Sequence, residues 1–181
     1  MAATTIDPTS ALVLIDLQKG IAAFAKDRGI DEVLAHSERL VAAFRERGLT
    51  VVHVNVTGGA PGRTELQRPP RDLPADWAEL IIPAAADEVT VTKQTWGAFH
   101  GTELHAELEK RGVTQIVLVG VATSVGVEST ARAAYEHGYH VTLATDAMTD
   151  MDPVSHEHSI ARVFPKLGET GTTDEILALL G

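Results

Sequence analysis

Residues 115–147 read "QIVLVGVATSVGVESTARAAYEHGYHVTLATDA" and carry the fold in one stretch. "QIVLVGV" (115–121) is an unbroken apolar run of strand length, the pattern of a strand covered on both faces. A turn of small residues follows. Residues 126–137 then space their apolar side chains as a helix, and Gly138 ends it. "HVTLATDA" (140–147) is a second run of buried-strand type. Strand, helix and strand within about 30 residues make a βαβ unit. Its two strands must run parallel, joined by a right-handed crossover.

The same alternation extends in both directions. "ALVLIDL" (11–17) is an apolar strand run that takes in Asp16 near its end. Val33, Leu34, Leu40, Val41 and Phe44 predict a helix over 31–47, closed by Gly48. "LTVVHVNV" (49–56) and "EVTVTK" (88–93) read as strands. Between them, residues 57–76 are rich in Gly, Pro and Arg and read as a long ordered loop, a length that points to function. "GTELHAELEKRG" (101–112) reads as a helix, with Thr102 as its N-cap and Gly112 past its end. A further helix is expected over 153–164, with Pro153 in its first turn. The tail "GETGTTDEILALLG" reads as a short strand or loop, then a helix capped by Thr172 or Thr173. Together these predict one domain over residues 1–181, a Rossmann-like three-layer α/β/α arrangement around a mostly parallel sheet.

Composition narrows the function. A net charge of −10 argues against nucleic acid, whose phosphates need clustered Lys and Arg. The longest apolar runs are too short to span a bilayer, so no membrane partner is expected. No basic-then-apolar leader precedes the first strand, and a cytoplasmic location is expected. The chain has no cysteine, which excludes disulfides, thiolate metal ligands and a thiol nucleophile. Neither a G-x-x-x-x-G-K-[ST] phosphate loop nor a G-x-G-x-x-G turn after the first strand is present, so no nucleotide cofactor is expected.

Two charges stand at the ends of strand runs: Asp16 closes the apolar stretch that begins at residue 11, and Lys93 closes the alternating "EVTVTK". Ligands of open parallel sheets sit beyond the carboxyl ends of the strands. That rule brings Asp16, Lys93 and the 121–126 turn to one edge. A carboxylate there is costly unless paired. A structural ion pair explains the two charges as well as a functional site does. The turn favours the site, because a helix start offers free N–H groups and the positive end of a dipole to an anion or developing oxyanion.

"ALVLIDLQKG", "VTKQTWGAFHGTEL" and "VLVGVATSVGVESTARAAYEHGYHVTLATDAM" resemble, in order and spacing, the three signature blocks of the isochorismatase-like (cysteine hydrolase) family. The resemblance implies a six-stranded parallel sheet ordered 3-2-1-4-5-6, a catalytic Asp at Asp16 and a catalytic Lys at Lys93. It also implies a cis peptide joining Val121 and Ala122, a homo-oligomer and a small-molecule substrate. In that family a nucleophilic cysteine stands where this chain has Gly126. Thioester chemistry is therefore closed to it. Family members that hydrolyse a vinyl ether need only an acid, and Gly126 points to that branch: a hydrolase acting on a small carboxylated metabolite through Asp16. The alternative is an inactive member retained as a binding or scaffold protein.

The expected substrate-binding set is Gln18, Arg63, Trp96, Phe99, Val121, Ala122, Thr123, Val125 and Gly126. Gln18 lies two residues beyond Asp16 and is suited to orient it or the substrate. Arg63, on the long loop, is suited to clamp a carboxylate. Trp96 and Phe99 follow Lys93 closely in a chain poor in aromatics, and read as pocket walls. Metal-binding relatives use an Asp and two His after the second strand. Here that segment offers His53 and Asn55 with no second His, and His156 and His158 do not share a helix face. No metal and no other cofactor is expected.

Overall fold

In the computed structural model, which describes residues 3–65 and 72–181, six strands form one parallel sheet. They are β1 (Ser10–Ile15), β2 (Thr50–Val56), β3 (Val89–Lys93), β4 (Gln115–Val121), β5 (His140–Thr149) and β6 (Glu169–Gly171), in the order β3-β2-β1-β4-β5-β6. The order is the one the resemblance implies. β1 lies between β2 and β4 and is buried along its whole length. Its alternate side chains feed two cores: Ala11, Val13 and Ile15 on one face, Leu12 and Leu14 on the other. Helix α1 is a single turn at Lys19–Ala22. Helices α2 (Ile30–Glu46) and α6 (Thr173–Leu180) cover the second face through Leu40, Phe44 and Ile176. Helices α3 (Leu104–Lys110) and α4 (Glu128–Glu136) cover the first through Leu104, Leu108, Ala131 and Ala134. Helix α5 (Pro153–His158) buries none of its residues. No helix among the described residues is long and apolar enough to cross a membrane.

The element ends differ from the sequence expectation where the backbone leaves regular geometry. β1 stops at Ile15, because Asp16 turns into the left-handed region at φ 53°. The helix expected over 126–137 begins earlier, as a π-helical turn at Thr123–Val127, and becomes regular only in α4. The helix expected over 153–164 is three pieces: α5, a π turn at Ser159–Val163 and a 3-10 turn at Phe164–Lys166. Thr102 is not the N-cap of α3, a position held by Glu103. Its hydroxyl instead accepts from Leu104 N–H at 3.2 Å and donates to Ala98 C=O. Thr172, not Thr173, caps α6, in a capping box with Glu175. The tail strand forms as β6, and α1 was not anticipated. Of the expected loop 57–76, residues 66–71 lie outside the described residues, and 57–65 and 72–76 carry no helix or strand.

Two features fasten the edges of the sheet. Gly120 sits at φ 124°, and a Cβ there would collide with the Ile15 carbonyl oxygen on β1. Only glycine lets β4 lie this close to β1. At the far end, the Glu88 side chain, 7% exposed, lies between Arg45 of α2 and His53 of β2. It accepts from Arg45 Nε at 2.6 Å, Arg45 Nη2 at 2.9 Å and the Ala85 N–H at 2.8 Å, and lies 2.9 Å from His53 Nε2. Burial pushes its carboxyl up, but these partners outweigh burial and hold it down at about 2.

Gly120→Ala is expected to cost at least about 2 kcal/mol, from overpacking and a disfavoured φ together. Urea unfolding with an unchanged midpoint would contradict this. Glu88 binds its proton less readily folded than unfolded. Its stabilisation is therefore complete above about pH 4.5 and drains away as pH falls towards about 2. Glu88→Gln should remove that acid-side slope and lower neutral stability by about 1.5–3 kcal/mol, read from unfolding curves across pH.

Candidate active site

β1 delivers Asp16 and β3 delivers Lys93 to the carboxyl edge of the sheet, with β2 between them. The ammonium of Lys93 spans that strand and donates to Asp16 Oδ2 at 2.7 Å. It also reaches the Thr95 carbonyl at 3.2 Å. Both side chains are sealed from solvent, Asp16 at 5% and Lys93 at 2% exposure. The backbone N–H of Asp16 donates to Val54 C=O at 2.9 Å, which anchors the left-handed kink at the end of β1. A non-glycine residue in that region is uncommon, with Asp among the types that tolerate it.

The two oxygens of Asp16 differ. Oδ2 holds Lys93, whereas Oδ1 is buried with no hydrogen-bond partner. Such an orphan in a native interior calls for a functional or ligand-based explanation. Burial penalises the charged form and pushes the carboxyl up to about 6, against the opposing attraction and hydrogen bond of Lys93. The acid thus changes charge near neutrality.

The turn Thr123–Val127 forms the third side. The Val121–Ala122 peptide is cis, as the resemblance implies. Gly126 is buried, and a Cβ built on it would stand 3.3 Å from Asp16 Oδ2 and 2.8 Å from Ile15 Cγ2. Position 126 therefore abuts the carboxylate, but it is close-packed rather than an opening. Its carbonyl accepts from Thr130 Oγ1 at 2.7 Å, and the same hydroxyl accepts from Ala98 N–H at 3.1 Å. Thr130 thereby ties the turn to the segment that follows Lys93.

The turn is a poorer anion hole than the sequence suggested. The Ser124 N–H is already taken by the Asp150 carboxylate at 2.7 Å, as is the Ser124 hydroxyl. The Val125 and Val127 N–H groups close on the Ala122 carbonyl. Thr123 is fully buried and shares a 2.8 Å hydrogen bond with His156 Nδ1. Asp150 was not singled out, and His156 was weighed only as a metal ligand, because they lie on the connection after β5 and on α5. The only sequence signal was their place at another strand's carboxyl end.

The other expected residues scatter. Gln18 is fully buried and engaged: Nε2 donates to Val56 C=O and Trp77 C=O, and Oε1 accepts from Val56 N–H. It clamps the ends of β1 and β2 to the 77–80 segment, leaving nothing for a substrate. Phe99 is buried in a cluster with His105, His137 and Tyr139, its ring 5.1 Å from His137, so it belongs to the core rather than to a pocket wall. Trp96 is 58% exposed. Arg63 is exposed and makes no hydrogen bond or ion pair among the described residues. Val121 and Thr123 are buried, and Ala122 and Val125 are half-buried along the turn. No group of three or more potential metal ligands gathers among the described residues. Two concavities, of about 380 and 500 Å³, lie at the amino ends of β4 and β5 and of β2 and β3, on the opposite edge from this site.

Comparison with known proteins places the chain by family and fold. A family model described as the isochorismatase domain matches residues 10–175. The isochorismatase family protein YwoC of Bacillus subtilis is 40% identical, over 93% of this chain and 92% of its own. An isochorismatase family protein from Burkholderia thailandensis superposes with a TM-score of 0.91 at 37% identity, covering 97% of both chains. Maleamate amidohydrolase of Pseudomonas putida is 28% identical, over 94% of this chain and 86% of its own.

Carboxyl-carbon NMR of Asp16 should show a titration midpoint near pH 6. Lys93→Met removes the one influence that lowers it and leaves burial in place, so the midpoint should rise further. A fall in Lys93→Met would contradict the assignment.

Proposed function

The chain belongs to the isochorismatase family of hydrolases, and from that premise we propose that it hydrolyses a small carboxylated metabolite by acid chemistry at Asp16, without a covalent intermediate. The observation that carries this reading is the asymmetric carboxyl. Lys93 holds Oδ2, Oδ1 has no partner, and the pKa of about 6 leaves a proton available near neutrality. Net charge of −10 supports a small molecule, not nucleic acid, as the partner.

A vinyl ether suits such an acid. Asp16 gives its proton to the terminal alkene carbon, and the π electrons form the new C–H bond. The cation left on the ether carbon is an oxocarbenium ion. Water adds there and returns one proton to Asp16. The hemiketal then expels the alcohol and leaves a ketone, so one water is consumed in all. Lys93, 2.7 Å from Oδ2, stabilises the carboxylate at the moment it has given up its proton. No side-chain nucleophile is required.

An amide, the bond named in the maleamate relative, asks for more. It needs a nucleophile, and the hydroxyls of the turn are committed to His156 and Asp150. The vinyl-ether reading needs only what the site holds. Because Asp16 is 5% exposed, substrate contact requires the connections above the carboxyl edge to part.

The acid must be protonated to act, so kcat/KM is expected to fall as pH rises through about 6. Asp16→Asn should cut pyruvate release from isochorismate at least about 100-fold while the protein stays folded. Full activity in Asp16→Asn would overturn the assignment. Ammonia release from a panel of amides would replace the vinyl-ether reading with an amidase. Tight binding of a metabolite without turnover would replace it with a binding protein.

A further inference from the structure

Asp150 is a buried carboxylate with no ion-pair partner among the described residues. It lies just past the end of β5, 7% exposed. A bare carboxylate in such a place is costly unless its oxygens are hydrogen-bonded. Three donors meet it. Oδ2 accepts from the N–H and the hydroxyl of Ser124, both at 2.7 Å, and Oδ1 accepts from Asp152 N–H at 3.1 Å. The Ser124 contacts bridge 26 residues of sequence and join the β5–α5 connection to the first residues of the Thr123–Val127 turn. That turn starts the helical run that continues as α4, so the carboxylate also sits against the positive end of the helix dipole. Two residues further along the same turn is Gly126, where a Cβ would stand 3.3 Å from Asp16 Oδ2.

We propose that Asp150 is a positioning residue for this site: by tying down Ser124 it keeps the Gly126 backbone seated on the Asp16 carboxyl and so keeps water away from that acid. The inference rests on the reading of Asp16 as the working acid for its meaning, but not for its test. Asp16 owes its raised proton affinity first to burial. Lys93 of β3 is the charged group that faces it among the described residues, and it acts in the opposite direction. Loosening the turn admits water and leaves Lys93 in place. The Asp16 titration should then move down, towards an ordinary carboxylate.

Asp146 supplies the control. It lies on β5 itself and accepts from the N–H and hydroxyl of Thr173, so it anchors α6 in the way Asp150 anchors the turn. It differs in fastening an element remote from Asp16.

The experiment is carboxyl-carbon NMR titration of Asp16 in the full chain, with thermal unfolding of the same samples. Asp150→Ala is expected to lower the Asp16 midpoint by about half a pH unit or more. Asp150→Asn, which keeps an oxygen for the Ser124 N–H, should recover most of that shift. Asp146→Ala should lower the unfolding temperature and leave the Asp16 midpoint where it is. Should Asp150→Ala fail to fold, Ser124→Ala removes one of the two contacts and is expected to shift the midpoint in the same direction. An unmoved midpoint in folded Asp150→Ala or Ser124→Ala, or an equal shift in Asp146→Ala, would overturn the proposal. Because the readout is a titration and not turnover, it stands apart from whether isochorismate is the substrate.

Discussion

Lys93 must cross a whole strand to meet Asp16, and much of the architecture follows from that reach. In the order β3-β2-β1 the two residues sit on strands separated by β2. Neighbouring strands lie about 4.8 Å apart, so the two backbones are roughly 10 Å from one another at closest. A four-carbon stem carries the ammonium across, and the backbone of Asp16 bends out of β1 to meet it. The register agrees, since Val54 pairs with Ile15 on one side and Val56 with Lys93 on the other. A buried ion pair contributes little net stability on average, because desolvation offsets the attraction. What this one does is set the proton affinity of a single oxygen-bearing group in a dry place.

That much was legible in the sequence, and for a physical reason. Strands covered on both faces are written as apolar runs, and a charge ending such a run stands out against them. Asp16 was visible in this way, Lys93 as the charge closing the alternating run "EVTVTK", and the rule for open parallel sheets put them at one edge. Residues whose partners lie on irregular chain were not legible. Gln18 follows Asp16 closely and looks available, but its amide is consumed by Val56 and by Trp77, on a segment with no periodicity to announce it. Phe99 follows Lys93 closely and looks like a wall, but its chain folds back into the α3–α4 layer to meet His137 and Tyr139. Proximity in sequence to a strand end predicts position for one or two residues, and after that the turn decides.

The turn itself shows how a motif can be read correctly and its donors miscounted. A helix start does offer free N–H groups, and the sequence places one here. Those donors then find acceptors inside the protein. Asp150 takes Ser124, and the Ala122 carbonyl takes Val125 and Val127. Buried N–H groups rarely stay unpaired, so an anion hole exists only where the fold withholds its own acceptors. Here the fold supplies them.

Gly126 is the point where packing and chemistry become one question. Its missing side chain does not leave a hole. Ile15 and the Asp16 carboxyl have closed on it, so that even a Cβ would crowd the Ile15 methyl. A larger side chain at 126 would have to push one of them away, and a polar one would stand beside the Oδ2 that already holds Lys93. Glycine does neither, and the carboxyl stays dry. Dryness raises its proton affinity and brings its titration up to about 6. On the function proposed above, glycine leaves Asp16 and Lys93 with a proton to give and no nucleophile to aim, and the chemistry that fits that reading begins with protonation.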